Sequence, residues 1–178
     1  RLGLLQGMSD VVDRESGIEK LMWEATKRTS MRTQETPLRI GLESADLYQC
    51  PLIIWTGLGD AKPLTETQSG RLRHFLKLGG TLFVDDASPM GDHRFDQSFK
   101  KALKTIWPDG DLSAFNRDHT FYRTFYLLSG SKGRIDRDKR LYGVKFEDRS
   151  PIIYSRNDLL GALCREPSGE WALPVRPG

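Results

Sequence analysis

Val84-Asp85-Asp86-Ala87-Ser88 places two carboxylates and a hydroxyl directly after an apolar run, and those groups are the chain's strongest candidates for chemistry. Asp85 and Asp86 offer hard oxygen ligands of the kind Mg²⁺ takes, or an acid/base pair. Successive strand residues point to opposite faces, so the two carboxylates share a site only where the backbone turns. The plainer reading is that one carboxylate caps the following turn and the other is solvated. Ser88 lies near a turn to which His119 could return as a base, but the G-x-S-x-G context of a nucleophile elbow is missing. His119 beside Asp118 reads first as a packed or half-exposed histidine. Asp92, His93 and Asp96 could complete an oxygen-rich cluster with Asp85 and Asp86, but read first as the polar first turn of a helix.

Thr56-Gly57-Leu58-Gly59-Asp60 follows a second apolar run. It carries two glycines of a dinucleotide fingerprint but lacks the third, and Pro63 interrupts the loop, so a plain strand-to-loop turn is the stronger reading. Val84-Asp85-Asp86 also has the form of the acidic pair of receiver domains. There the pair ends the first strand, whereas 84 residues precede Asp85, which rejects that reading.

These groups need elements to hold them. Leu2 to Leu5 and Leu52 to Trp55 are continuous apolar runs, as expected of strands buried on both faces, and Leu82 to Val84 forms a third. Leu38, Ile40 and Leu42 alternate with polar residues or glycine, which predicts a strand at the sheet margin. Helical spacing of Ile18, Leu21, Met22 and Ala25 predicts a helix over 17–29. Thr65 and Gln68 form a capping box before Leu72, Phe75 and Leu76, and Gly79 sits where a left-handed C-cap is wanted. Phe95, Phe99, Ala102, Leu103 and Ile106 mark a third helix, stopped by Pro108. Phe121 to Leu128 packs as a strand or as a cover over the sheet edge. Leu141 to Phe146 and Pro151 to Tyr154 read as a hairpin, and Asn157 as the N-cap of a short turn.

Strand and helix alternate, so the expected fold is α/β: a three-layer, mostly parallel sheet with an added C-terminal hairpin. With the alternating strand at the edge, the order 2-1-3-4 follows. Ligands of such sheets bind beyond the strand C-termini where strand order reverses. That rule gathers Gln6 to Asp10, Thr56 to Asp60, Asp85 to Ser88 and Ser155 to Asp158. Thr56, Gly57, Gly59, Asp60, Ser88, Ser155, Asn157 and Asp158 are the expected ligand-binding residues. Asp85, Asp86 and His119 are the catalytic candidates, and Asp85 and Asp86 the metal candidates.

The 178 residues suit one domain. A hydrophobic content of 38% with 29% charged residues fits a globular chain rather than a disordered one. The formal charge of +3, from 27 basic and 24 acidic residues spread along the chain, gives no footprint for nucleic acid. The densest basic run, Lys132 to Arg140, is interleaved with Asp136 and Asp138 and reads as a solvated loop, with an anionic partner surface as the alternative. No apolar run reaches the roughly 18 residues of a membrane span. Cys50 and Cys164 are too few for a disulfide framework or zinc site, and two isolated thiols are more often unlinked. The cofactor stays undetermined.

With these landmarks, the chain resembles the bacterial family called domain of unknown function 4159. The matching residues are Trp23-Glu24 with Lys27-Arg28-Thr29-Ser30, Thr56-Gly57, Leu72-Arg73-His74-Phe75-Leu76 with Gly79-Gly80, and Asp85-Asp86. They continue through Phe95-Asp96-Gln97-Ser98-Phe99, Pro108, His119, Phe125-Tyr126-Leu127, Ile153-Tyr154-Ser155 and Asn157-Asp158-Leu159. The resemblance implies a flavodoxin-like fold similar to class I glutamine amidotransferases. It also implies a bacterial periplasm or cell-envelope setting, often beside AAA-type ATPases and von Willebrand A-domain proteins, with no established activity. The family usually runs on past Leu173-Pro174-Val175 into another helix and strand, so a missing C-terminal flank is expected. In amidotransferases a glycine-rich oxyanion loop follows one strand and a Gly-x-Cys-x-Gly elbow the next. Thr56 to Gly59 holds the first place and Asp85 to Ser88 the second, without a cysteine, so thiol glutaminase chemistry is not expected. The expected function is non-catalytic binding of a protein partner or small ligand at the C-terminal edge of the sheet. The alternative is a metal-assisted hydrolase using Asp85 or Asp86 with His119.

Overall fold

The computed structural model describes residues 1–10, 13–124 and 127–173. Among the described residues seven strands form one mixed sheet in the order β2-β1-β3-β4-β7-β6-β5. The strands are β1 (Leu2–Leu5), β2 (Leu38–Ile40), β3 (Leu52–Gly57), β4 (Thr81–Asp86), β5 (Leu112–Ala114), β6 (Tyr142–Phe146) and β7 (Arg149–Ser155). The first four and β7 run parallel, with β7 beside β4. The β6–β7 hairpin then extends the sheet, and β5 pairs antiparallel with β6 at the far edge. The order 2-1-3-4 and the hairpin agree with the sequence reading. The short β5 does not appear there.

Three α-helices among the described residues cover the sheet: α1 (Glu15–Arg28), α2 (Glu66–Lys77) and α3 (Arg94–Ile106). Strand alternation sorts the core between them. Ile53, Trp55, Leu82, Val84, Ile152 and Tyr154 face α2 and α3, where they meet Leu72, Leu76, Phe95, Phe99 and Leu103. Leu2, Leu4 and Ile54 face the other way, onto Ile18 and Met22 of α1 and Leu160. Trp55 packs edge-on against Phe99 at 5.6 Å between ring centres, and Phe99 lies 4.9 Å from the Tyr154 ring. Such pairs add directional preference to the burial of large rings.

Local signals explain where α2 starts and stops. The Thr65 hydroxyl accepts from the Gln68 N–H at 3.2 Å, and the Gln68 side chain returns the bond to the Thr65 N–H at 3.1 Å. At the other end Gly79 takes φ +107, a conformation that a Cβ disfavours, and sends the chain into β4. Cys50 and Cys164 are both free and buried. Among the described residues no helix is long and apolar enough to cross a membrane.

Candidate functional site

The four loops named from the sequence do meet beyond the strand C-termini. Ser9 Oγ donates to the Thr56 carbonyl at 3.3 Å, and Asp10 forms a β-bridge with Leu58. The Ala87 N–H donates to the Gly57 carbonyl at 3.0 Å, and the Asp158 N–H to the Asp86 carbonyl at 3.1 Å. The glycines serve this closure. A Cβ on Gly57 would fall 1.8 Å from Ser9 Oγ, and Gly59 turns the chain at φ +69. Thr56 is buried, and its Oγ1 has no hydrogen-bond partner among the described residues. Asp60 is exposed.

Asp85 and Asp86 diverge, as strand alternation requires. Asp85 points to the α1 side, where its carboxylate accepts from the Leu159 and Leu160 N–H groups at 3.0 and 2.9 Å. It has no exposed surface. Burial, and then the charge of Asp158, push its carboxyl up to about 7 against those two hydrogen bonds. The expectation of a solvated partner carboxylate is therefore corrected: Asp85 is enclosed and tied to the turn after β7. Asp86 does cap the following turn, its Oδ1 accepting from the Ser88 N–H at 2.9 Å, and its Oδ2 accepts from Arg137 Nη1 at 2.6 Å. Burial raises the Asp86 carboxyl as well, opposed by Ser88 and Arg137.

Asp158 is the hub. Arg14 Nε and Nη2 grip its two oxygens at 2.8 and 2.9 Å, a fork-on-carboxylate pair, and Arg134 Nε binds the same carboxylate from the opposite loop. The Gly161 N–H donates to its Oδ1 at 3.1 Å, which ties Asp158 to the first residue of the short 3-10 turn Gly161–Leu163. The residue sits at φ +50, in the left-handed region that side chains other than Asn and Asp rarely enter. Asn157 is not the cap that the sequence suggested. Its Oδ1 accepts from the Arg137 and Asp138 N–H groups, both at 3.0 Å, and its Nδ2 donates to the Ser131 carbonyl at 3.2 Å and to that of Asp138. Ser155 Oγ accepts from the Asn157 N–H at 3.2 Å.

These bonds overturn the solvated-loop reading of Lys132 to Arg140. Arg137 donates to the carbonyls of Ser88 and Pro89 at 3.1 and 2.8 Å, and Arg134 to that of Ala87 at 3.3 Å. The loop is a strap whose two arginines fill the crevice. Arg14, Arg134 and Arg137 are thus the site residues that sequence reasoning missed. A usable signal was present: Ile135, 4% exposed, is an apolar residue in the middle of the basic run. Gly133 is a second one, because a Cβ there would lie 2.0 Å from the Asn157 carbonyl oxygen.

His119 stands apart from the carboxylates. Its Nδ1 accepts from the Phe121 N–H at 3.3 Å, and its ring stacks on Phe115 at 4.2 Å. It lines a cavity with Lys145, Asp148 and Arg149, beside the β6–β7 turn. That turn leads into the start of β7, whereas Asp158 follows its end. Asp92 pairs with Arg94, His93 is the residue before α3, and Asp96 accepts from the Tyr154 hydroxyl at 2.9 Å. Among the described residues no group of three His, Cys, Asp or Glu side chains is placed to hold a metal ion.

A family model described as a domain of unknown function (DUF4159) matches residues 2–174. The chain belongs to that family. No curated protein matches the chain. Within the family's span, then, the polar crevice is closed by the chain's own groups. The open space beside it is a cleft of about 520 Å³ whose lining includes Phe121, Leu127, Leu128, Lys132, Lys139, Leu141 and Leu159. Leu159 donates its N–H to Asp85, so the cleft adjoins the C-terminal edge of the sheet.

Proposed function

We propose that this chain is a non-catalytic domain of the bacterial periplasm or cell envelope that binds a protein partner beside the strand C-termini. We read its scaffold as flavodoxin-like and similar to class I glutamine amidotransferases, with Asp85 and Asp86 at the place of the elbow thiol. The observation that carries the reading is a contrast in exposure. Asp85, Asp86, Asn157 and Asp158 have no exposed surface and are all engaged by the chain itself, whereas Leu127 and Leu128 stand 85% and 50% exposed at the adjoining cleft. Catalysis needs a group that touches substrate, and binding needs an accessible apolar anchor. The buried carboxylates at this edge are taken up by the chain's own groups, whereas the exposed leucines supply the second.

The metal-assisted hydrolase reading has its carboxylates and His119 on separate partners, and no observation favours it. The two readings part in cells that lack the native gene. A Leu127→Glu/Leu128→Glu chain, folded by circular dichroism, is expected to fail to complement, while folded Asp86→Asn complements. The opposite pattern overturns the proposal and returns Asp86 to chemistry.

A further inference from the structure

The cleft also carries information about what fits it. Its lining combines Phe121, Leu127, Leu128 and Leu141 with Lys132 and Lys139, and no Asp or Glu is among its described lining residues. Both lysines are exposed, and neither makes an ion pair or a side-chain hydrogen bond among the described residues. Other exposed lysines, Lys62, Lys77, Lys101 and Lys145 among them, likewise make no ion pair among the described residues, so what sets Lys132 and Lys139 apart is their place at an apolar cleft whose described lining holds no carboxylate. Exposed leucines clustered at a concave site mark a contact surface rather than ordinary scatter.

We propose that the partner docks here through a peptide segment in which apolar side chains alternate with carboxylates. This deepens the protein-binding reading above and rests on it. The apolar groups would fill the cleft, and the carboxylates would answer Lys132 and Lys139. A second copy of the chain fits poorly, because a two-fold contact through this patch sets lysines against lysines. An anionic bilayer fits poorly too: two cations are fewer than the roughly four to eight that mark a lipid-binding cluster. A concave site also suits side chains better than a plane.

The test uses the full chain as bait for a displayed random-peptide library at low salt, followed by fluorescence polarisation with the selected peptides. The expected sequences are enriched in Asp and Glu beside Leu, Ile or Phe. Their binding weakens as salt rises and falls about tenfold with Lys132→Gln/Lys139→Gln. It is lost with Leu127→Asp. All three positions are exposed, so thermal melts of these variants should match wild type. The inference is overturned if selection yields nothing, if binders lack acidic enrichment, or if the lysine variant binds equally well. Retention of the chain by phosphatidylglycerol vesicles with no peptide selected, or dimerisation through Leu127, assigns the patch to a different occupant. Failure here with the leucine pair still required in cells removes the acidic partner alone. A leucine pair dispensable in cells removes the protein-binding reading itself.

Discussion

The residue that departs most from ordinary behaviour is Asp85, a carboxyl without exposed surface whose proton is held up to about 7. Burial is the larger cause and the charge of Asp158 the second, so the folded state prefers the protonated form. The ordinary value of 3.8 applies once the chain unfolds. Between these two values the folded chain binds more proton than the unfolded one. Stability from this group is therefore full below pH 3.8 and is lost as pH rises through about 7. The slope approaches about 1.4 kcal/mol per pH unit where the difference is one whole proton. Urea unfolding of wild type should show a midpoint that falls between about pH 4 and about pH 7. Asp85→Asn removes the titration and should flatten that fall, so the variant's deficit is larger at the acid end. Equal slopes for the two proteins would mean that Asp85 is ionised throughout.

Elements whose signals are local were legible, and those defined by distant partners were not. The α2 helix carries its start in Thr65 and Gln68 and its stop in Gly79, all within one stretch of sequence. The continuous runs of β3 and β4 announce strands buried on both faces. By contrast β5 is three residues long and exists only through its pairing with β6, thirty residues away. Asp85, Asp86 and Asp158 were found because strand ends point to them, but their partners were not. Arg14 meets Asp158 across 144 positions, and no spacing rule reaches that far. The Lys132 to Arg140 strap was missed for the same reason: its arginines look solvated until Asn157 is seen holding the loop's backbone. Asn157→Ala deletes four side-chain bonds at once, two accepted from the Arg137 and Asp138 N–H groups and two donated to the Ser131 and Asp138 carbonyls. With each such bond worth about 1 kcal/mol, the expected loss is about 4 kcal/mol. Hydrogen exchange should show the Arg137 and Asp138 amides losing protection well before those of β3 and β4. Uniform loss across the sheet would instead make the strap part of the core.

At the scale of the whole molecule, the sheet edge is closed by ion pairs joining the chain's beginning to its end. Arg14 comes from the approach to α1, Asp158 from beyond β7, and Arg134 and Arg137 from the strap that precedes β6. A divalent ion entering this edge would have to displace arginines already hydrogen-bonded in place. The displaced guanidinium groups of Arg14 and Arg137, 7% and 6% exposed, would then be left without their carboxylates. Breaking a buried pair in that way costs about 3–5 kcal/mol, more than a site supplying one or two carboxylates to Mg²⁺ readily returns. Any ligand that binds only the folded state raises the melting temperature by mass action, so thermal unfolding reads the competition directly. Mg²⁺, Mn²⁺ and Ca²⁺ in large excess should leave the melting temperature of wild type unmoved, and Asp86→Asn should melt lower by the same amount with or without metal. A metal-dependent rise that Asp86→Asn abolishes would show that the arginines yield, and the closed edge would then be one state of an opening site.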